Sequence, residues 1–245
     1  MAINTIMMKA LCSRLKPGAR IASMGYPDMI APLDVIEEFI GDGVRSLDFL
    51  KDSPAICKRH NIPFRGIPDA FSVFKKLGAE LDVFDIVKER DCEIPYDLNE
   101  PQCAWDFRYD FVLDVGTLEH CFNIGQAALN MVSLLKVGGI IFHENPFNWG
   151  NHGFYNMNPT WYADFYSQRG FKLLECKLVT KDGRSSNVPQ TDRFQFVQEE
   201  INVFAVAERT RIMPITWPMQ TKYVKMIAKA GLSGEAVPAL EAIGA

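Results

Sequence analysis

The stretch that most constrains this chain is Tyr109-Asp110-Phe111-Val112-Leu113-Asp114-Val115-Gly116-Thr117-Leu118-Glu119-His120. An apolar run halts at a turn carrying Gly116 and Thr117. A helical pattern follows over 124–135, and Lys136-Val137-Gly138-Gly139 leads into a second apolar run over 139–144. Strand, sharp turn, crossover helix and parallel strand make a βαβ unit, and open α/β sheets bind ligands beyond the carboxyl ends of such strands. The turn from 114 to 120 is therefore expected to face a ligand.

With 245 residues, 48% of them apolar, the chain can bury the core of one large α/β domain but not of two. A net charge of -4 argues against holding a nucleic-acid backbone by bulk charge, which needs a basic face. Cys12, Cys57, Cys92, Cys103, Cys121 and Cys176 are scattered, without a C-x-x-C pair or a histidine at zinc-finger spacing, and read as reduced thiols of a cytoplasmic protein. The apolar opening is broken by Asn4, Lys9 and Arg14. No other stretch approaches the roughly 20 apolar residues of a membrane span.

Periodicity predicts helices over 3–15, 32–40, 70–77, 124–135 and 160–169. Strands are expected over 19–25, 80–87, 92–96, 111–115 and 139–144, with 171–179 and 200–208 as a closing hairpin around a polar loop at 180–191. Residues 42–68, punctuated by Pro54, Pro63, Gly66 and Pro68, read as irregular. The expected organisation is one domain over 1–210, with an insertion at about 40–68, and a C-terminal extension over 211–245 carrying a short helix at 223–230.

The small-residue turn followed by Leu118-Glu119-His120, and the Leu135-Lys136-x-Gly138-Gly139 step into the next strand, resemble class I S-adenosylmethionine (SAM)-dependent methyltransferases. The resemblance runs from about residue 19 to 209. It implies a Rossmann-like methyltransferase sheet, mostly parallel with an antiparallel C-terminal hairpin and helices on both faces. It further implies SAM as cofactor and a set of residues to hold it. Gly25 and Tyr26 form the turn after the first strand, where Tyr26 and Pro27 replace the glycines the family usually carries. Asp85 ends the second strand and would accept from the ribose hydroxyls, about sixty residues beyond Gly25, which is why an insertion is inferred. Asp97 and the backbone of Leu98 would meet adenine. Asp114, Gly116 and Thr117 would lie beside the sulfonium. On local grounds alone Asp97 equally suits a turn cap, and Asp114 a buried carboxylate satisfied by backbone amides. The Glu119-His120 pair suits ordering of the loop.

Methyl transfer to oxygen requires an acceptor placed in line with the methyl group and a base to take its proton, and histidine has the most suitable unperturbed pKa. His120, His143 and His152 are expected on loops converging above the sheet, with His143 or His152 as the base, while His60 lies in the insertion. His143, Glu144 and His152 could also be weighed as metal ligands. Their spacing matches no helix-borne pair, so no metal is expected. Trp149, Phe154, Tyr155, Trp161 and Tyr162 could stack on an acceptor or simply pack. The reading is a SAM-dependent methyltransferase acting on an oxygen of a small-molecule or carbohydrate-like acceptor. The alternative is a catalytically inactive, methyltransferase-like binding or assembly protein, motivated by Tyr26-Pro27. A nicotinamide enzyme is disfavoured because G-x-G-x-x-G is absent after the first strand.

Overall fold

The computed structural model describes residues 2–101, 107–189, 194, 199–213 and 217–230. The chain runs β1 (Ala2–Ile3), α1 (Thr5–Cys12), β2 (Arg20–Met24), β3 (Asp28–Met29), α2 (Leu33–Ile40), α3 (Ser53–Arg59), α4 (Ala70–Lys76), β4 (Glu80–Asp85) and β5 (Glu93–Pro95). It continues with β6 (Tyr109–Asp114), α5 (Ile124–Ser133), β7 (Leu135–Pro146), α6 (Pro159–Ser167), β8 (Phe171–Thr180), β9 (Ser185–Asn187), β10 (Ile201–Arg209) and α7 (Thr221–Lys229).

Eight strands form one sheet in the order β5-β4-β2-β6-β7-β10-β8-β9. The first five in that order are mutually parallel, and β10 runs antiparallel to both β7 and β8. This is the Rossmann-like sheet expected above, mostly parallel with an antiparallel C-terminal hairpin. Within this sheet the path starts at β2, steps outward to β4 and β5, then returns to β6 on the other side of β2. The order therefore reverses between β2 and β6, the place where a crevice opens beyond the carboxyl ends.

Both faces are covered, because the central strands are apolar on both sides. Alternation along β2 sends Ile21 to a core shared with α1, α2 and α4, through Met7, Leu11, Ile36, Val73 and Phe74. Ala22 and Met24 join the opposite core, built with α5 and α6 through Ala128, Met131, Tyr162 and Phe165.

Several boundaries differ from expectation for identifiable reasons. The first helix starts at Thr5, not residue 3, because Ala2 and Ile3 pair with β3 and the Asn4 side chain accepts from the Met7 amide at 3.0 Å as an N-cap. The Lys-x-Gly-Gly step belongs to β7, not to a helix end. Gly138 has a φ of +82°, outside the helical region, and the pairing with β6 shifts register between Tyr109 and Phe111. The carbonyls near the end of α5 are instead met by the buried Arg209 guanidinium, which donates to Val132 O at 2.7 Å and Leu135 O at 3.0 Å.

The insertion, expected to be irregular, holds a 3-10 turn (Gly41–Ser46) and helix α3, with Pro54 in its first turn. The five cysteines among the described residues are all free, and Cys103 lies outside them. No helix among the described residues is long and apolar enough to cross a membrane.

The insertion is anchored by Asp28 on β3. Its carboxylate, 2% exposed as a residue, accepts from Arg59 at 2.6 Å and faces His60 Nε2 at 2.8 Å. Burial would raise this carboxyl, but the His60 bond and the Arg59 charge outweigh burial and hold it below the usual carboxylate range. A depressed carboxyl stabilises the fold above its unfolded pKa and loses that stabilisation as pH falls toward the folded value. Asp28→Asn should cost about 1–2 kcal/mol at neutral pH. It should also flatten the loss of stability below about pH 4, where free Asp begins to protonate. Urea unfolding of both proteins at pH 7 and pH 3.5 checks this; a parallel acid loss in the two would refute the anchor.

Candidate active site

Strand β6 ends at Asp114, and the turn beyond it requires Gly116, at φ +90°. Asp114 Oδ1 accepts from the amides of Thr117 at 3.1 Å and Leu118 at 3.0 Å, starting the 3-10 turn Leu118–His120. Asp114 Oδ2 meets His143 Nδ1 at 2.6 Å and accepts from Asn145 Nδ2 at 3.0 Å. Alternation along β7 puts His143 and Asn145 on this face and Glu144 on the other, where Glu144 accepts from Asn4 at 2.8 Å and Asn202 at 3.0 Å.

The network then continues into α6. His143 Nε2 meets the Tyr166 hydroxyl, and Asn145 Oδ1 accepts from Tyr162 OH at 2.5 Å. Asn145 Nδ2 also donates to Glu119 Oε2 at 2.9 Å. Asp114, Glu119, His143 and Asn145 are all 0% exposed. Burial pushes the phenols of Tyr162 and Tyr166 well up, so both stay neutral donors.

This placement bears on two sequence expectations. His143 lies within β7 and both its ring nitrogens are engaged, so it has no nitrogen to offer an acceptor. Asp114 is the buried carboxylate with donors on both oxygens that was weighed as its alternative. Both residues hold other groups in position.

His120 and His152 do reach the surface, above the buried Glu119. His152 Nε2 lies 3.6 Å and His120 Nε2 3.9 Å from Glu119 Oε1, and the two imidazole rings are 5.0 Å apart. Glu119 Oε1 is buried and has no hydrogen-bond partner among the described residues. Burial, and then the Asp114 charge, push the Glu119 carboxyl up to about 7. Burial and the neighbouring His152 lower His120.

The loop carrying His152 is docked through backbone. The amide of Phe154 donates to Glu119 O at 2.9 Å, and a Cβ on Gly153 would lie 2.9 Å from the same carbonyl oxygen, so the approach requires glycine. Trp149 packs edge-on against His152 at 5.0 Å, and Tyr155 OH donates to Phe122 O at 2.8 Å. Phe122 and Phe154 stand exposed, edge to face at 5.4 Å. Of the other aromatic residues, Trp161 stacks on Phe165 and Tyr162 is buried in the network.

The residues expected to hold a cofactor are spread around the switch point. Gly25 has a φ of +89° and donates its amide to Phe84 O at 2.6 Å. Thr117 Oγ1 donates to Met24 O at 2.5 Å, bridging the ends of β2 and β6. Asp85 is half-buried at the end of β4. One oxygen accepts from the Val87 amide at 3.1 Å, and the other has no hydrogen bond among the described residues.

Asp97 accepts from the Asn99 amide at 2.9 Å, as a turn cap does, and the carbonyl of the buried Leu98 accepts from Asn130 at 2.9 Å. Tyr26 turns toward the insertion. Its hydroxyl donates to Asp69 at 2.6 Å and accepts from the Ala70 amide at 2.9 Å, and the Arg90 guanidinium lies 4.4 Å over its ring. Tyr26, Asp52, Phe71 and Arg90 line a cavity of about 560 Å³.

Tyr166 and Arg90 were not anticipated as site residues, and nothing in the sequence links Arg90 to Tyr26.

No protein-family model matches this sequence, and neither does any curated protein. Solved structures similar to the chain include methyltransferases. The 1,6-didemethyltoxoflavin-N1-methyltransferase of Burkholderia thailandensis, solved with 1,6-didemethyltoxoflavin and S-adenosylhomocysteine, matches over 83% of this chain and 76% of its own, at 13% identity and TM-score 0.47. CurJ carbon methyltransferase matches over 84% of this chain and 54% of its own, at 15% identity and TM-score 0.45. The [4+2]-cyclase SpnF matches over 84% of this chain and 80% of its own, at 11% identity and TM-score 0.39. Likeness at this level transfers no residue role, so the fold rests on the strand order and the site on its own geometry.

Removing the Asp114 carboxylate would take this acceptor from four donors at once, three of them buried. Asp114→Ala should cost roughly 3–5 kcal/mol, and Tyr162→Phe, which leaves only Asn145 Oδ1 without its donor, about 1–2 kcal/mol. Urea denaturation of the two variants measures both, and a cost below 1 kcal/mol for Asp114→Ala would dismiss the network as an organiser.

Proposed function

We propose that this chain is a SAM-dependent methyltransferase acting on an oxygen of a small-molecule or carbohydrate-like acceptor. The observation that carries the reading is the switch point between β2 and β6. There Gly25 and Gly116 both hold left-handed backbone at the strand ends. Beside them, Asp85 keeps one carboxylate oxygen uncommitted beyond β4. Turns of that conformation let backbone approach a bound cofactor without a Cβ in the way. A half-exposed carboxylate suits paired ribose hydroxyls.

These residues fit the cofactor. Gly25 and Gly116 would flank its methionine part, Asp85 would accept from its ribose, and the segment of Asp97 and Leu98 would border its adenine. When bound, SAM supplies a methyl group on a sulfonium.

The acceptor reading rests on the exposed side of Glu119, His120 and His152. A hydroxyl placed there has this group to loosen its proton, a role His152 can share and the buried His143 cannot. Phe122 and Phe154 offer an apolar wall for a ring or the flat face of a sugar. The insertion reads as a substrate-facing loop, since Leu50 and Asp52 line the cavity beside Tyr26.

Titration calorimetry with SAM and with S-adenosylhomocysteine should show binding of one equivalent of each. Asp85→Ala should weaken both by about 10- to 100-fold, as expected for a lost charge-assisted bond pair. A folded sample that gives no heat with either compound would instead favour the inactive binding protein.

A further inference from the structure

The cluster of Glu119, His120 and His152 has a second property that does not depend on methyl transfer. One ligand atom from each of the three residues can be chosen so that all lie within 4.8 Å of one another. Around an ion with bonds of about 2.1 Å, tetrahedral ligand atoms are about 3.4 Å apart. The spacings of 3.6 Å and 3.9 Å from Glu119 Oε1 to the two imidazoles therefore need only a small closing movement. The imidazoles can make it, with side chains 48% exposed at His120 and 39% at His152.

An independent observation points to a ligand in the gap. The Glu119 side chain is 1% exposed, yet Oε1 has no hydrogen-bond partner among the described residues and faces both imidazoles. A buried carboxylate oxygen left this way is costly unless a cation meets it or the carboxyl takes up a proton. The other oxygen is held at 2.9 Å by Asn145, itself fixed by Tyr162 and Asp114. Such outer hydrogen bonds orient a metal-ligating carboxylate. Neither His143 nor Glu144 takes part, the first being saturated and the second lying on the opposite face of the sheet.

We propose that Glu119, His120 and His152 bind one divalent transition-metal ion. Two imidazoles with one carboxylate favour an ion of the Zn²⁺, Co²⁺, Fe²⁺ or Mn²⁺ class over Mg²⁺ or Ca²⁺, which take oxygen ligands. Three protein ligands leave coordination positions open, as in sites that act on a bound molecule. The open side faces solvent past the two half-exposed histidines, so an oxygen donor of a small molecule completes the shell. With the ion in place His152 Nε2 is a ligand, and the ion, not the imidazole, acidifies a bound hydroxyl.

The test uses the full chain without a histidine tag, stripped with chelator and titrated with Co²⁺, whose visible absorption reports nitrogen and oxygen ligation independently of any activity. One equivalent should bind and be displaced by Zn²⁺. Glu119→Gln keeps the shape and the Asn145 bond, and His152→Ala lies on an exposed loop, so the fold is retained in at least one. Each should weaken Co²⁺ by about 100-fold or more, beyond what loss of an outer-shell partner causes, while His60→Ala changes nothing. Less than one equivalent on the parent chain, or unchanged Co²⁺ binding in a folded Glu119→Gln or His152→Ala variant, overturns the site. SAM titration of the same samples separates the two ideas: metal without SAM defeats the methyltransferase reading alone, and SAM without metal defeats this one alone.

Discussion

The Asp114 carboxylate, buried with four donors on its two oxygens, organises the carboxyl end of the sheet. A charge taken out of water persists only when its lone pairs are met. Here the donors come from the turn after β6 and from alternate residues of β7, which in turn recruit the two tyrosines of α6. Meeting one charge thus holds four segments in a single arrangement. It also has a consequence next door. A second carboxyl, Glu119, is buried in the same network beside the first, and its charge is disfavoured by burial and by Asp114. The pair leaves an unsatisfied oxygen directed at the surface, between two histidines.

The first turn solves a different problem. Tyr26 and Pro27 stand where close glycine packing would be expected, and the tyrosine is held by its own set of partners. Its hydroxyl is fixed between the carboxylate of Asp69, which also caps α4 by accepting from the Ser72 amide, and the amide of Ala70. Arg90 covers its ring and pairs with Asp52 in the insertion. Asp28 fastens the same insertion at Arg59 and His60. Residues 40–68 are therefore tied down at two points in their middle, Asp52 and Arg59-His60, and one wall of the cavity beside Tyr26 is built from Leu50 and Asp52.

Much of the architecture was legible because central parallel strands leave a strong record. Ala19 to Gly25, Phe111 to Val115 and Gly139 to Glu144 are short apolar runs bounded by turn residues, and all three fell within or against true strands. Weak signals failed where tertiary contacts decided. Ile3 left the first helix because β3 was available to pair, and Leu135 left the crossover helix because it pairs with Tyr109 at the start of β7. Helix α3 was hidden by prolines, although Pro54 suits a first helical turn. In the site, the histidines at 120 and 152 were expected together and lie together, whereas His143, expected to converge with them, is held by Asp114 and Tyr166 within the fold.

The amino-acid order alone determined the periodicities, the turn glycines and the abundance of apolar residues, and these suffice for a two-faced parallel sheet with its crevice near 114–120. Only the tertiary structure decided which polar residues are consumed within the fold and which remain for chemistry. The reason is geometric: alternation tells which face a residue occupies, but not which donors will meet it there. Asp114 and His143 found partners for every acceptor and nitrogen, while Glu119, one turn beyond, was left with an oxygen and two histidines from segments 32 residues apart.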